Sequence, residues 1–258
     1  MRPSPFDLTG QVAVITGSSR GIGRAIAEAM ARAGARVVIS SRKPTVCDEV
    51  AAAIREEGGE AIAIPANISS QEDLGRLVDG TIERWGKIDA LVCNAAANPY
   101  FGPMSGLTDA VFDKIMRNNV LANLWLVNRV APGMAERGGG TVQIVSSIGG
   151  LRGDPFLGAY NLSKAADMQL ARNLAVEWGS RGVRVNTIAP GLVKTDFARA
   201  LWENPELLAK VEQATPLGRI GEPDDIGGVA VFLASRAAAF ITGQVIVADG
   251  GVTVRAAW

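Results

Sequence analysis

The chain has 258 residues, 48% of them hydrophobic, enough to bury a sizeable core in one large α/β domain or two small ones. Lysine plus arginine equals aspartate plus glutamate at 26 each, so no overall field draws in nucleic acid or an anionic membrane, and the expected partners are small molecules or copies of the chain. There is no histidine, which excludes Ser-His-Asp and Cys-His nucleophiles, the His-Glu-x-x-His zinc site and the usual near-neutral general acid, and the two cysteines, Cys47 and Cys93, match neither a disulfide framework nor a metal spacing.

In chain order, Met1–Gly10 lacks an apolar signal core, and no later run approaches the ~20 apolar residues of a membrane span, so a soluble, cytoplasmic protein is expected. Val12–Thr16 is a short apolar run suited to a strand buried on both faces, and it leads into a glycine-rich turn, Gly17–Gly23. Ile26, Met30 and Ala33 then recur at helical spacing until Gly34 stops the helix. Arg36–Ser40 and Ala61–Pro65 read as strands around a charged helical segment. Ser69-Ser-Gln-Glu72 reads as a capping box ahead of Leu74, Leu77, Val78, Ile82 and Trp85, with Gly86 as the stop. There follow a strand at Ile88–Val92, one long helix near Thr108–Glu136, a strand at Thr141–Ser146, a helix carrying Tyr160 and a strand at Val183–Ile188. The pattern loosens after Pro190-Gly191, a candidate lid over about 191–221, before Pro223 opens a helix and Gln244–Ala248 makes a last strand. This alternation predicts a single α/β domain over residues 1–258, a Rossmann-like doubly wound parallel sheet with helices on both faces and ligands beyond the carboxyl ends of the strands.

Gly17-x-x-x-Gly21-x-Gly23, with Ser19, Arg20 and Ile22 between the glycines, lies between a strand and a helix, where bare backbone and a helix N-terminus suit a dinucleotide diphosphate. The end of the second strand reads Ser40-Ser41-Arg42-Lys43, with no carboxylate until Asp48 to take a ribose 2′-hydroxyl. Arg42 with Lys43, and Arg20 in the glycine loop, are candidate cations for a 2′-phosphate, so NADP(H) is favoured, with NAD(H) the alternative.

Tyr160-Asn-Leu-Ser-Lys164 sets a phenol and an ammonium one helical turn apart on the same face. A free tyrosine titrates near pH ~10, and lowering that by about three units takes ~4 kcal/mol of preferential stabilisation of the phenolate, which a nearby cation supplies. Without histidine, Tyr160 has few competitors as a proton carrier.

With these residues in hand the chain resembles the short-chain dehydrogenase/reductase family along nearly its whole length. Thr16–Gly23 is similar to the family's cofactor loop, and Asn94-Ala95-Ala96 to its Asn-Ala-Gly sequence near the adenosine ribose, with alanine in the glycine position. Ser147 matches the catalytic serine, Tyr160 and Lys164 the signature pair, and Asn119 the helix asparagine, with Asn118 as the adjacent alternative. Pro190, Gly191, Val193 and Thr195 resemble the segment that holds the nicotinamide carboxamide, and Asn67, followed by Ile68, stands where the usual aspartate meets the adenine. The resemblance implies hydride transfer between a nicotinamide and a carbonyl or alcohol carbon. Tyr160 would exchange the proton, Lys164 would lower the tyrosine pKa and hold the ribose, Ser147 would bind the substrate oxygen, and Asn119 would anchor through its backbone a water linking Lys164 to solvent. It also implies a homotetramer.

Around the expected reaction centre, Ala97, Ile148, Phe156, Leu157, Phe197, Leu201 and Trp202 form the expected substrate pocket, apolar enough for a hydrophobic ketone, aldehyde or secondary alcohol. Ser40–Lys43, Asn94–Pro99 and Ala189–Thr195 most resemble the NADPH-dependent carbonyl and retinol reductase branch. A 3-oxoacyl-thioester reductase is the nearest rival, and an NADP(H)-binding sensor without turnover is a rival of another class. The C-terminal Arg-Ala-Ala-Trp258 is not a peroxisomal tripeptide.

Overall fold

The computed structural model describes residues 4–255, so Met1–Pro3 of the N-terminal reading and Ala256–Trp258 of the tail lie outside the described residues. In chain order the elements are β1 (Val12–Thr16), α1 (Gly21–Arg32), β2 (Arg36–Ser40), α2 (Pro44–Glu56), β3 (Glu60–Ala63), α3 (Gln71–Trp85), β4 (Ala90–Cys93), α4 (Asp109–Met116), a π-helical turn (Arg117–Leu121) and α5 (Ala122–Glu136). Then come β5 (Gly140–Val145), α6 (Gly158–Trp178), β6 (Val183–Pro190), α7 (Arg199–Trp202), α8 (Pro205–Ala214), α9 (Pro223–Ala234) and β7 (Val245–Ala248). Seven strands, all parallel, form one sheet in the order β3-β2-β1-β4-β5-β6-β7.

Side chains alternate across a strand, and here the alternation sorts two cores. Ala13 and Ile15 of β1, Val37 and Ile39 of β2, and Ala90 and Val92 of β4 join one core with α1, α2 and α9. Val14, Val38, Leu91 and Cys93 join the other with α3, α5 and α6. Because the strand order reverses between β1 and β4, the chains leaving their carboxyl ends diverge and open a crevice between them.

Three local expectations need correction. The cap of α3 is Ser70, whose Oγ accepts from the Asp73 N–H, because Ser69 is drawn away to donate to Asn118 Oδ1 at 2.7 Å. The long helix over Thr108–Glu136 is interrupted by the π turn, where Asn118 and Asn119 are both buried. The loose stretch after Gly191 holds two short helices, α7 and α8, neither with a buried residue, pinned at its base by bridge pairing of Val193 with Gly221. Among the described residues no helix is long and apolar enough to cross a membrane.

Candidate active site

The glycine loop is backbone laid against backbone. Gly17 and Gly21 have φ of +67° and +55°, the left-handed region, and a Cβ on Gly23 would stand 2.4 Å from the Gly17 carbonyl oxygen. Arg20, the residue before α1, offers no side-chain cap, so the first-turn N–H groups of that helix face the crevice without a side-chain partner. Ser19 lies in this turn and Ile22 packs from α1 onto the first core. Buried Ser18 ties the loop to β2, its Oγ donating to the Ile15 carbonyl at 2.7 Å and accepting from the Ser40 N–H at 2.9 Å. Sequence reasoning passed over Ser18, since nothing in a serine pair marks which member turns inward.

Asn94 ties the loop to β4. Its Nδ2 donates to the Thr16 and Gly17 carbonyls at 2.9 and 3.2 Å, while the Asn94 and Ala95 N–H groups donate to Thr16 Oγ1. Ala96 follows on the way to Ala97, whose N–H and carbonyl pair with Asn119 Oδ1 and Nδ2 at 2.8 and 3.0 Å. The same Nδ2 donates to Ser163 Oγ on α6 at 3.0 Å. Asn119 is thus the clamp between the β4 exit and the tyrosine helix, whereas Asn118 serves the α3 entry. The Asn119 carbonyl accepts from Asn123 Nδ2, which uses one of its two lone pairs.

At the end of β5 two serines divide the work. Ser146 is buried and its Oγ donates to the Lys164 carbonyl at 2.7 Å, seating α6 on the strand. Ser147 is partly open and its Oγ accepts from the Gly149 N–H at 3.0 Å. Lys164 is 2% exposed, with Nζ 5.7 Å from the Tyr160 ring centroid, and donates to the Val145 carbonyl at 2.9 Å and to Asp167 Oδ2 at 3.0 Å.

This geometry corrects the simple account of the phenol. Burial pushes the Tyr160 pKa up, and Asp167 adds to that. Lys164, and more weakly the Ser147 hydroxyl, pull it down without prevailing. For Lys164 burial opposes the charge, but Asp167 and Tyr160 outweigh it, and the ammonium is held above the ordinary lysine range. Burial pushes the Cys93 thiol far up, leaving it a neutral core group.

The remaining expected residues scatter around this centre. Arg20 pairs with Asp196 at 3.3 Å, an exposed bridge from the glycine loop to the segment after β6. Ser41 Oγ lies 3.1 Å from Cys47 Sγ, and Arg42 and Lys43 are exposed and make no ion pair among the described residues. Asn67 is spent locally, its Oδ1 accepting from the Ser69 N–H ahead of α3, and Ile68 packs on the second core. Pro190 ends β6, Gly191 donates to the Ala248 carbonyl, and Thr195 reaches across to Gly21, where a Cβ would meet its Cγ2 at 3.1 Å.

Of the expected pocket residues, Phe197 lies 6.0 Å from Tyr160 between ring centroids, and exposed Phe156 stacks on Phe101 at 5.4 Å. Leu157 precedes α6 and Leu201 is half-buried on α7. Ile148 is buried, and partly exposed Trp202 is tied to the segment after β6, its Nε1 donating to the Thr195 carbonyl at 2.8 Å. Asp167 and Asn123 were missed, and their one signal is spacing: Asp167 stands three residues after Lys164 and Asn123 four after Asn119.

The family described as "Enoyl-(Acyl carrier protein) reductase" matches residues 17–253. Dehydrogenase/reductase SDR family member 4 of Sus scrofa is 42% identical over 248 residues, covering 96% of this chain and 89% of that protein. Among solved structures, a 7α-hydroxysteroid dehydrogenase complexed with NADH and 7-oxo glycochenodeoxycholic acid superposes with a TM-score of 0.93 at 37% identity, covering 97% of this chain and 98% of that one. A gluconate 5-dehydrogenase from Burkholderia cenocepacia in complex with NADP and tartrate gives 0.93 at 32% identity, covering 98% of each chain.

Proposed function

This chain belongs to the short-chain dehydrogenase/reductase family, as an oxidoreductase acting on CH–OH and C=O groups, and from its site we propose reversible hydride transfer between NADP(H) and a hydrophobic ketone, aldehyde or secondary alcohol. The observation that carries the reading is one hydrogen-bonded path. It runs from the glycine loop through Asn94 and the β4 exit to Asn119, and on to the helix bearing Tyr160 and Lys164.

The residues present fit a nicotinamide dinucleotide. The uncapped N-terminus of α1 and the bare glycines suit its diphosphate, and Arg42 and Lys43, without an ion pair among the described residues, suit a 2′-phosphate at a strand end without a carboxylate. Arg20 is the weaker candidate because Asp196 already occupies it. Lys164 would hold the ribose hydroxyls, with Thr195 and the backbone of Gly191 and Val193 near the carboxamide. When bound, the nicotinamide gives a hydride to the substrate carbon or takes one from it.

Tyr160 gives its proton to the carbonyl oxygen during reduction and takes one from the hydroxyl during oxidation. Ser147, whose Oγ keeps its own proton to donate, orients that oxygen and stabilises its developing charge. The pKa directions favour the acid role: burial keeps the phenol protonated, ready for carbonyl reduction. Exposed Phe197 beside the phenol, and the exposed stack of Phe101 on Phe156, support an apolar substrate, with the 191–221 segment as its cover. Family membership suggests a homotetramer, which light scattering checks.

The acyl carrier protein named in the matched family description favours a second reading, a 3-oxoacyl-thioester reductase acting on the ketone of a carrier-bound chain. Diketones, aromatic aldehydes, retinal and acetoacetyl thioesters, each with NADPH and NADH, separate the readings by cofactor absorbance. Consumption of NADPH on apolar carbonyls is expected. A clear preference for thioesters selects the second reading, and binding without consumption across the panel overturns catalysis in favour of a sensor.

A further inference from the structure

Asp167 is fully buried inside α6, and the proton-transfer roles above leave it without a task. A carboxylate taken out of water is destabilising by several kcal/mol unless it is paired and hydrogen-bonded. Further along the same buried face, α6 uses Met168, Ala171, Leu174 and Ala175, as a core helix should. Asp167 caps no helix end and accepts from no backbone N–H among the described residues. Its two hydrogen-bond donors are Lys164 Nζ at Oδ2 and Asn123 Nδ2 at Oδ1, both at 3.0 Å. Asn123 also donates to the Asn119 carbonyl, which ties the carboxylate to the clamp of the site.

We propose that Asp167 is a positioning residue for Lys164: its carboxylate, steadied by Asn123, keeps the buried amine as an ammonium and aims it at the Tyr160 side of the site. The ammonium has three N–H donors; Val145 and Asp167 take two, and one is left for the phenol and ligand side. The titratable groups facing Lys164 are Asp167 and Tyr160 from its own helix and Cys93 from the end of β4. Around them, α5 presents the neutral Asn123 and β5 the Val145 carbonyl. Burial raises the Asp167 pKa while Lys164 and Asn123 pull against it; with Cys93 neutral and Tyr160 protonated at neutral pH, the Asp167 carboxylate is the charge among the described residues that balances the lysine. With it, the site holds a cation and an anion before reaction and gains a net negative charge only when Tyr160 gives up its proton. Asp167 also opposes that loss, so it weights the phenol toward the donor form.

The role rests on reading Tyr160 and Lys164 as the proton-transfer pair, but the charge on Lys164 is measurable apart from turnover. NMR of the lysine ε-carbons against pH follows it directly, with the Lys164 signal assigned by its loss in Lys164→Met. In the wild-type protein the midpoint should lie above the ordinary value of ~10.4. In Asp167→Leu and Asp167→Asn it should fall by roughly one to three pH units, and the alkaline limit of turnover should fall with it. Asp167→Asn, nearly the same shape, carries the test should the leucine variant not fold. A midpoint that stays put in a folded variant, or a wild-type midpoint at or below ~10.4, overturns the proposal. Near-normal turnover in Lys164→Met would instead sink the reading of the site and leave the charge measurement standing.

Discussion

The floor of the crevice and its cover are built by opposite means. On the floor, β5, the π turn, the start of α5 and the first half of α6 lock polar side chains together in the interior: Asn119, Asn123, Ser163, Lys164 and Asp167 are all buried and each bonds another buried group. On the cover, α7 and α8 bury no residue, and the link to the glycine loop is an Arg20–Asp196 pair whose side chains are 68% and 44% exposed. The interior pair of Lys164 and Asp167 works at low dielectric, where losing one partner strands the other, while the exposed pair is screened by solvent and salt. On the proposed reading, a protein built this way fixes its chemistry and leaves its substrate contacts free to change.

The contrast can be broken at several points. Tyr160→Phe keeps the ring and removes the proton, so turnover should drop by about 10²–10⁴ while NADPH still binds; near-normal turnover would remove the floor's claim to the chemistry. Arg42→Ala should weaken NADPH by about tenfold to a hundredfold, as loss of a charge-assisted contact does, and leave NADH nearly unchanged. Equilibrium fluorescence titration with both nucleotides checks this, and an equal loss for both would mean that Arg42 does not read the 2′-phosphate. Phe197→Ala, on the cover, should raise KM for an apolar substrate by about tenfold or less with kcat nearly constant. A large fall in kcat there would show that the cover shares in the chemistry and that the division into two regions is wrong.

The sheet was legible in the sequence because buried parallel strands are short apolar runs, and here glycines punctuate them. Val12–Thr16 and Arg36–Ser40 were read to the residue, and the remaining strands shifted only at their ends. Tyr160 and Lys164 were legible from one helical turn of spacing, and Gly17, Gly21 and Gly23 from their place between strand and helix. The interior polar network was not. A helical reading assigns an aspartate to the solvent face, yet Asp167 lies on the buried face with Lys164 and Ala171. The pKa direction at Tyr160 was illegible too, because Lys164 was visible one turn away while the burial and the carboxylate that outweigh it were not.

The π turn at Arg117–Leu121 has a consequence for how the long helical run keeps time. Each residue of an α-helix advances the side chain by about 100°, so one extra residue in a turn resets the phase of everything beyond it. With that offset Ile115 faces the interior ahead of the turn, Asn119 meets the β4 exit within it, and Asn123, Leu126 and Val127 all face the interior after it. Removing one residue from the turn would leave a smoother helix with better backbone bonding, and it would swing the asparagines by nearly a third of a revolution relative to the core beyond them. The irregularity is a gear offset: it lets one rod seat an apolar flank and a polar clamp at once, and it makes the spacing of this segment matter more than its composition.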